Sequence, residues 1–261
     1  MKNKKILTWL FSCLCVGALF FGAACGGAGN GTSESGNSEQ SSSVLGGSSI
    51  TDDGSSSDET SSPEENSSSG DGQDENGSKG LSYMLSDDGT YYSVTGIGTC
   101  TDTDIVISAT YNGVSVTSIA EGAFNDCDSL TNVIIGNGVT SIDRYTFANC
   151  ASLTSVVIPD SVTSIVKFAF RDCASLTSVV IGNGVTSIGD VAFYNCASLT
   201  SVIIGDNVTS IGNSVFCNCT ALTSITFKGT ISEWNAIEKG QYWNSEVPAT
   251  EVVCADGKTE L

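Results

Sequence analysis

Apolar residues recur every 23 positions through the second half of the chain, and the segment Cys-Ala-Ser-Leu-Thr-Ser-Val begins at Cys150, Cys173 and Cys196. Within one such unit, β-branched runs at 153–158 and 162–165 predict two short strands joined by a Pro-Asp turn. The following stretch predicts one helical turn that returns the chain to the next unit. The side chains predicted to point inward are Leu153, Val156, Ile158, Val162, Ile165, Ala169, Phe170 and Cys173.

The same interval holds for whole files of equivalent residues. Leucine, valine and isoleucine positions keep it in five successive units, and so do the phenylalanines Phe124, Phe147, Phe170, Phe193 and Phe216. A fixed period of this length is typical of a solenoid, in which each coil stacks on the next and cannot fold alone. The sequence therefore predicts a β-rich repeat solenoid with two short strands and a helical turn per 23-residue repeat, capped at both ends.

The coil pattern Leu-x-x-Val-x-Ile-Pro-x-x-Val-x-x-Ile-x-x-x-Ala-Phe-x-x-Cys resembles the treponemal-type leucine-rich repeat of BspA-like bacterial surface proteins. The resemblance covers about residues 81–261, with an N-terminal cap at 81–115, repeats at 116–227 and a C-terminal cap at 228–261. In the C-terminal cap, Ile231 and Trp234 are predicted to hold the valine and isoleucine places of the repeat. The resemblance implies a right-handed coil and adhesion to host matrix, to other cells or to mucosal glycans.

The N-terminus has the pattern of a targeting segment. A basic start is followed by an apolar run of 16 residues, too short for a spanning helix of about 20 residues. Small residues precede Cys25, as in a bacterial lipobox, although Gly22 stands where leucine is usual. We therefore interpret residues 1–25 as a lipoprotein signal peptide, with Cys25 as the lipidated first residue of a protein anchored at the bacterial cell surface. The alternative is ordinary signal cleavage, with Cys25 incidental.

Residues 26–80 hold eleven acidic residues, one basic residue and no aromatic residue. Such a segment buries too little apolar surface to offset its chain entropy, which predicts a disordered tether. The whole chain has a formal charge of −19, so it repels phosphate backbones and is not expected to bind nucleic acid.

A cysteine occupies the same place in five units: Cys127, Cys150, Cys173, Cys196 and Cys219. A metal site is disfavoured because the chain contains no histidine and the ladder contains no short cysteine pair of the kind that binds zinc. Disulfides between coils are disfavoured because stacked strands place equivalent residues about 4.8 Å apart with parallel side chains, whereas a bridge needs Cβ atoms about 3.8 Å apart. We interpret the ladder as structural, a stack of buried thiols without metal.

The search for an active site finds no catalytic arrangement that depends on histidine and no phosphate-binding loop followed by a long helix. A pair of catalytic carboxylates stays open on sequence alone. Since a regular repeat rebuilds the same surface in every coil, we expect no enzyme and no cofactor.

The outward positions of the first strand predict a binding face with hydroxyl and aliphatic lines, whose candidate residues are Thr131, Ile134, Thr154, Val157, Thr177, Val180, Thr200 and Ile203. The alternative for each of them is that β-branched residues simply suit strand surfaces. The expected partner is a protein or glycan outside the cell, and the sequence leaves the oligomeric state open. Two other functions stay open: a carbohydrate-capturing lipoprotein of a nutrient-uptake system, and a passive envelope spacer without a specific ligand.

Overall fold

The structure, a computed structural model, describes residues 77–261. The predicted signal peptide, Cys25 and all but the last residues of the predicted tether lie outside this part. The described elements are β1 (Ser82–Leu85), β2 (Tyr92–Gly96), β3 (Asp104–Ile107), β4 (Thr110–Tyr111), β5 (Val114–Ile119), β6 (Asn132–Ile135), β7 (Ser141–Ile142), β8 (Ser155–Ile158), β9 (Ser164–Ile165), β10 (Ser178–Ile181), β11 (Ser187–Ile188), β12 (Ser201–Ile204), β13 (Ser210–Ile211), β14 (Ser224–Phe227), α1 (Ile231–Ala236), β15 (Glu238–Lys239), β16 (Glu251–Cys254) and β17 (Gly257–Glu260).

The strands form two sheets that run along the stack of coils. One sheet has the order β17-β16-β14-β12-β10-β8-β6-β3, and the other has β1-β2-β5-β7-β9-β11-β13-β15 with β4 paired to β5. Within the repeats every pairing is parallel and joins residues 23 apart, as in Val156 with Val179 and Ile165 with Ile188. The two strands of each coil therefore belong to different sheets, and the predicted β-rich solenoid is confirmed.

The core lies between the two sheets and the return segments. All eight side chains predicted to point inward are buried in the unit from Leu153 to Cys173. Neighbouring phenylalanine rings of the five-membered file stack nearly parallel, with centroids 5.1–5.5 Å apart. This spacing follows from the separation of paired strands, about 4.8 Å, because each ring sits one coil beyond the last.

The predicted helical turn is wrong in detail, because each return segment is a run of turns. Two residues per coil have the left-handed conformation, for example Tyr145 at φ 57° and Asn149 at φ 60°. A left-handed residue interrupts a right-handed helix. The freed backbone donors bond across coils instead, as where the Phe147 N–H donates to the Ala169 carbonyl over 2.8 Å. The return segments thus join neighbouring coils as the sheets do.

The N-terminal end of the stack is closed by an antiparallel hairpin of β1 and β2. Inside it, the rings of Tyr83 and Tyr111 stack with centroids 3.9 Å apart, and Tyr92 packs edge-on against both. Ser78, which the sequence assigned to the tether, exchanges two hydrogen bonds of 2.9 Å with Val106 of β3. The folded domain therefore includes the last residues before position 81.

The C-terminal end is a modified coil, and the predicted places of Ile231 and Trp234 are wrong. Both residues lie in α1, and the strand that pairs with β13 is β15, in which Glu238 stands opposite Ser210. Trp243 replaces the next phenylalanine, since the Phe216 N–H donates to its carbonyl over 2.7 Å. The helix is an insertion that shifts the interval without breaking the stack.

Local chemistry explains why α1 forms where it does. Thr230 and Glu233 make a capping box, in which the Thr230 side chain accepts from the Glu233 N–H and the Glu233 carboxylate accepts from the Thr230 N–H. At the other end, the Lys239 ammonium donates to the carbonyls of Trp234 and Ile237. These contacts satisfy backbone groups that a short helix leaves unpaired.

Candidate binding face

A continuous file of outward side chains crosses the first sheet. Strand register places Ile134 beside Val157, Val157 beside Val180, and Val180 beside Ile203. Pairing of the outer strands extends this file beyond the predicted residues, to Val106, Thr226 and Val253. We call this set the aliphatic file: Val106, Ile134, Val157, Val180, Ile203, Thr226 and Val253. At about 4.8 Å per strand it is about 29 Å long.

The aliphatic file is partly open to solvent. Ile134 is 54% exposed and Val157 is 52% exposed, whereas Val180 and Ile203 are half-buried. Val253, in the C-terminal cap, is 37% exposed. The sequence did not indicate that Val106 and Val253 belong to this face, because each stands 27 or 28 residues from its partner rather than 23.

The predicted threonines line the start of the same strands, but their hydroxyl hydrogens are already used. Thr154 Oγ1 donates to the Thr131 carbonyl over 3.0 Å, and Thr177 and Thr200 repeat this bond one coil further each time. Thr131 Oγ1 lies within hydrogen-bond distance of the Thr103 carbonyl and of the Asp104 carboxylate. The threonine line therefore stabilises the stack, and it can offer a partner only acceptor oxygens.

The charge of this face differs from that of the chain. Strands β6, β8, β10, β12 and β14 carry no ionisable side chain. Charged residues stand only at the two ends of the sheet, on β3, β16 and β17, and they are Asp104, Glu251, Lys258 and Glu260. Residues 81–261 as a whole carry 18 acidic and six basic residues. A neutral apolar stripe is thus set in an acidic surface.

The cysteine ladder lies on the inner side of the coils. Cys150, Cys173, Cys196 and Cys219 are buried free thiols, while Cys127 at the N-terminal end is half-buried. Each buried thiol donates to the carbonyl of a phenylalanine in the preceding coil, as Cys173 Sγ does to Phe147 over 3.1 Å.

Burial keeps these thiols protonated. It raises the pKa of the Cys173 thiol to about 12 and also raises the pKa values of Cys150 and Cys196. Since the thiolate is the reactive form of cysteine, these groups are structural and not nucleophilic.

Two further searches cover residues 77–261. They contain no group of three or more histidine, cysteine, aspartate or glutamate side chains arranged to hold a metal ion. No helix in this part of the chain has the length and apolar character that crossing a membrane requires.

Aromatic side chains on the return segments form a second surface feature. The rings of Tyr145 and Phe168 stack at 4.8 Å with an angle of 7° between their planes, and both residues are half-buried. The Arg171 guanidinium lies 5.8 Å from the centre of the Tyr194 ring. Arg171 also pairs with Asp172 over 2.7 Å. These aromatic residues lie away from the aliphatic file.

Two solved structures of bacterial proteins resemble this fold. A leucine rich repeat protein of T. pallidum is 25% identical with a TM-score of 0.52, and the match covers 62% of this chain and 79% of that one. A leucine rich cell surface protein of Faecalibacterium prausnitzii A2-165 is 32% identical with a TM-score of 0.53. That match covers 60% of this chain but only 40% of the other. None of the curated proteins matches this chain.

The family comparison agrees with the observed architecture. The family described as "BspA type Leucine rich repeat region" matches residues 117–245 in six copies, so the match extends past the five regular coils into the modified C-terminal coil. Residues 117–245 of this chain belong to the family of BspA type leucine rich repeat regions.

Proposed function

We propose that this chain is a surface-displayed, lipid-anchored leucine-rich-repeat protein that binds a macromolecular partner outside the cell, and that the partner covers the aliphatic file. The observation that carries the proposal is the file itself: about 29 Å of neutral, partly exposed aliphatic surface on a chain of charge −19. Exposed apolar surface framed by polar residues is typical of interaction sites. The cell-surface description of the F. prausnitzii protein supports the location.

Adhesion is the form of binding that the family resemblance favours. The partner classes are host extracellular-matrix proteins, other cells and mucosal glycans. A passive spacer would show no saturable ligand, so saturable binding separates the two functions. A panel of immobilised matrix proteins and glycans, probed with the purified chain by surface plasmon resonance, measures this directly.

The double variant Val157→Glu, Val180→Glu tests the face. Two carboxylates in the middle of the file should reduce binding at least tenfold, because a partner would have to bury unpaired charges. The fold should persist, since neither side chain is part of the core. Asn137→Glu is the control for charge, because Asn137 is an exposed turn residue off the file. Unchanged affinity in the double variant, with binding still saturable, would exclude the aliphatic file as the site.

The anchor is tested separately at Cys25. Cells expressing the chain are fed an alkyne-labelled fatty acid, and label on the protein is measured after detergent extraction. We expect label on the natural sequence and none on Cys25→Ala, because the lipobox cysteine is the only attachment point that the motif provides. Equal labelling of both would contradict the anchor and leave the binding proposal untouched.

A further inference from the structure

The outer aromatic stack of the return segments ends abruptly at Gly122. Equivalent places in successive coils hold Gly122, Tyr145, Phe168, Val191 and Ser214, and every one of these residues has a positive φ. Tyr145 and Phe168 stack on each other, and the described residues place no other ring on Tyr145. The coil before Tyr145 therefore has no side chain where the next ring of the stack would lie.

Backbone hydrogen bonds fix this register. The Gly122 N–H donates to the Arg144 carbonyl over 2.9 Å, and the Phe124 N–H donates to the Thr146 carbonyl over 2.8 Å. These two bonds bracket Tyr145 on one coil and Gly122 on the preceding one. The missing side chain leaves a gap one coil wide, about 4.8 Å, which is close to the 4.8 Å between the Tyr145 and Phe168 rings.

The gap is open. A Cβ built on Gly122 would meet only Asn125 Cβ, at 4.0 Å, and no other heavy atom within 4 Å. Most other glycines of the described coils lie against backbone atoms of the preceding coil, as Gly136 does at 2.7 Å from the Ala109 nitrogen. Gly122 is thus not required by close packing. We call this space, with the Tyr145 ring as its wall, the Tyr145 notch.

Polar groups stand around the notch. Glu121 and Arg144 directly precede Gly122 and Tyr145, and Arg144 makes no ion pair among the described residues. Burial and the charge of Glu121 raise the pKa of Asp143, so these two carboxyl groups interact electrostatically. Two carboxylates and one guanidinium leave a local charge of about −1, which disfavours anionic ligands.

We propose that the Tyr145 notch binds one neutral pyranose ring of a glycan, with the apolar C–H face of the sugar on the Tyr145 ring. A pyranose is ring-shaped, apolar on its faces and lined with hydroxyl groups at its edge. The aromatic wall matches the face, and the carboxylates and guanidinium match the hydroxyl edge as acceptors and donors. A few polar groups beside an apolar wall are the usual composition of a small-ligand site.

This site is separate from the aliphatic file, and it deepens the proposed binding function by naming a ligand class. It provides the carbohydrate contact that the first sheet lacks, because no aromatic side chain lies in the aliphatic file. The first-sheet face and the notch can therefore fail or succeed independently.

The test uses the full chain and saturation-transfer NMR with methyl glycosides of glucose, galactose, mannose and N-acetylglucosamine, and with glucuronic acid as the anionic probe. Gly122→Phe should fill the notch and weaken binding of the preferred neutral sugar at least tenfold. The variant should fold, because Phe168 adopts the same backbone conformation at φ 66°. Gly122→Ser is the matched control and should stay within threefold, since Ser214 holds the equivalent place at φ 53°.

Tyr145→Leu gives a second route that leaves Gly122 unchanged and should also weaken binding at least tenfold. Val157→Glu, Val180→Glu should bind the sugar like the natural chain. The proposal is overturned if no neutral glycoside binds, if Gly122→Phe and Tyr145→Leu bind like the natural chain, or if the double variant loses sugar binding. Preference for glucuronic acid over every neutral sugar would overturn the assigned ligand class.

Discussion

Replacing Phe170 by alanine should cost more stability than any replacement on the surface of the same coil. The ring is fully buried and lies between Phe147 at 5.2 Å and Phe193 at 5.1 Å. A buried Phe→Ala change costs about 3–5 kcal/mol. We expect the upper part of this range, because the loss includes two ring–ring contacts of about 0.5–1.5 kcal/mol each.

The matched control is Phe168→Ala in the same coil. Phe168 is half-buried and stacks on one ring only, so its removal should cost about 1–2 kcal/mol, within the usual range for a single substitution. Urea denaturation followed by far-UV circular dichroism measures both variants. With a slope of about 3 kcal/mol per M, Phe170→Ala should lower the midpoint by about 1.3–1.7 M.

A second probe tests whether the damage is local. Coils contact only their neighbours, so a cavity in the middle should weaken the coupling between the two ends of the stack. In a Trp9→Phe background, fluorescence of Trp234 and Trp243 reports the C-terminal cap, and its transition should no longer coincide with the circular dichroism transition. If Phe170→Ala lowers the midpoint no more than Phe168→Ala does, the stacked rings are not the main support of the coils.

Two further predictions concern the cap and the thiols. Thr230→Ala removes the capping box of α1 and should destabilise the C-terminal cap by about 1 kcal/mol, measured as faster amide exchange in residues 231–236, whereas Ser232→Ala should have little effect. Because burial raises the folded-state pKa of Cys173 from 9.0 to about 12, its contribution to stability is complete below pH 9 and falls as pH rises toward 12. The urea midpoint should therefore drop between pH 8 and 11, by up to about 1.4 kcal/mol per pH unit for this thiol, and Cys173→Ala should reduce that drop; an equal drop in both would contradict the assignment.

The core could be predicted from the sequence because one interval controls it. A parallel pairing at a constant 23 residues aligns identical positions, so every inward residue of one coil predicts its equivalents in the others. The return segments escaped prediction for a conformational reason. Tyr145, Phe168 and Val191 are not residues that usually mark a left-handed conformation, yet all three adopt it.

The two ends escaped prediction because their intervals change. The insertion that contains α1 moves the partner of Ser210 to Glu238, so counting 23 residues from the repeat gives the wrong places for Ile231 and Trp234. The same change hid Val253 from the predicted binding face. The Tyr145 notch also needs coordinates, because the sequence alone does not indicate whether the space beside Gly122 is filled.

The constant step between coils has an evolutionary consequence. Each regular coil presents the same donors, acceptors and apolar surfaces to both neighbours, so a DNA segment of one period can be duplicated or deleted without any compensating change in the remaining coils. The number of coils is then a variable that selection can adjust in single steps. Each added copy would lengthen the aliphatic file by one side chain and carry the C-terminal end further from the N-terminal hairpin.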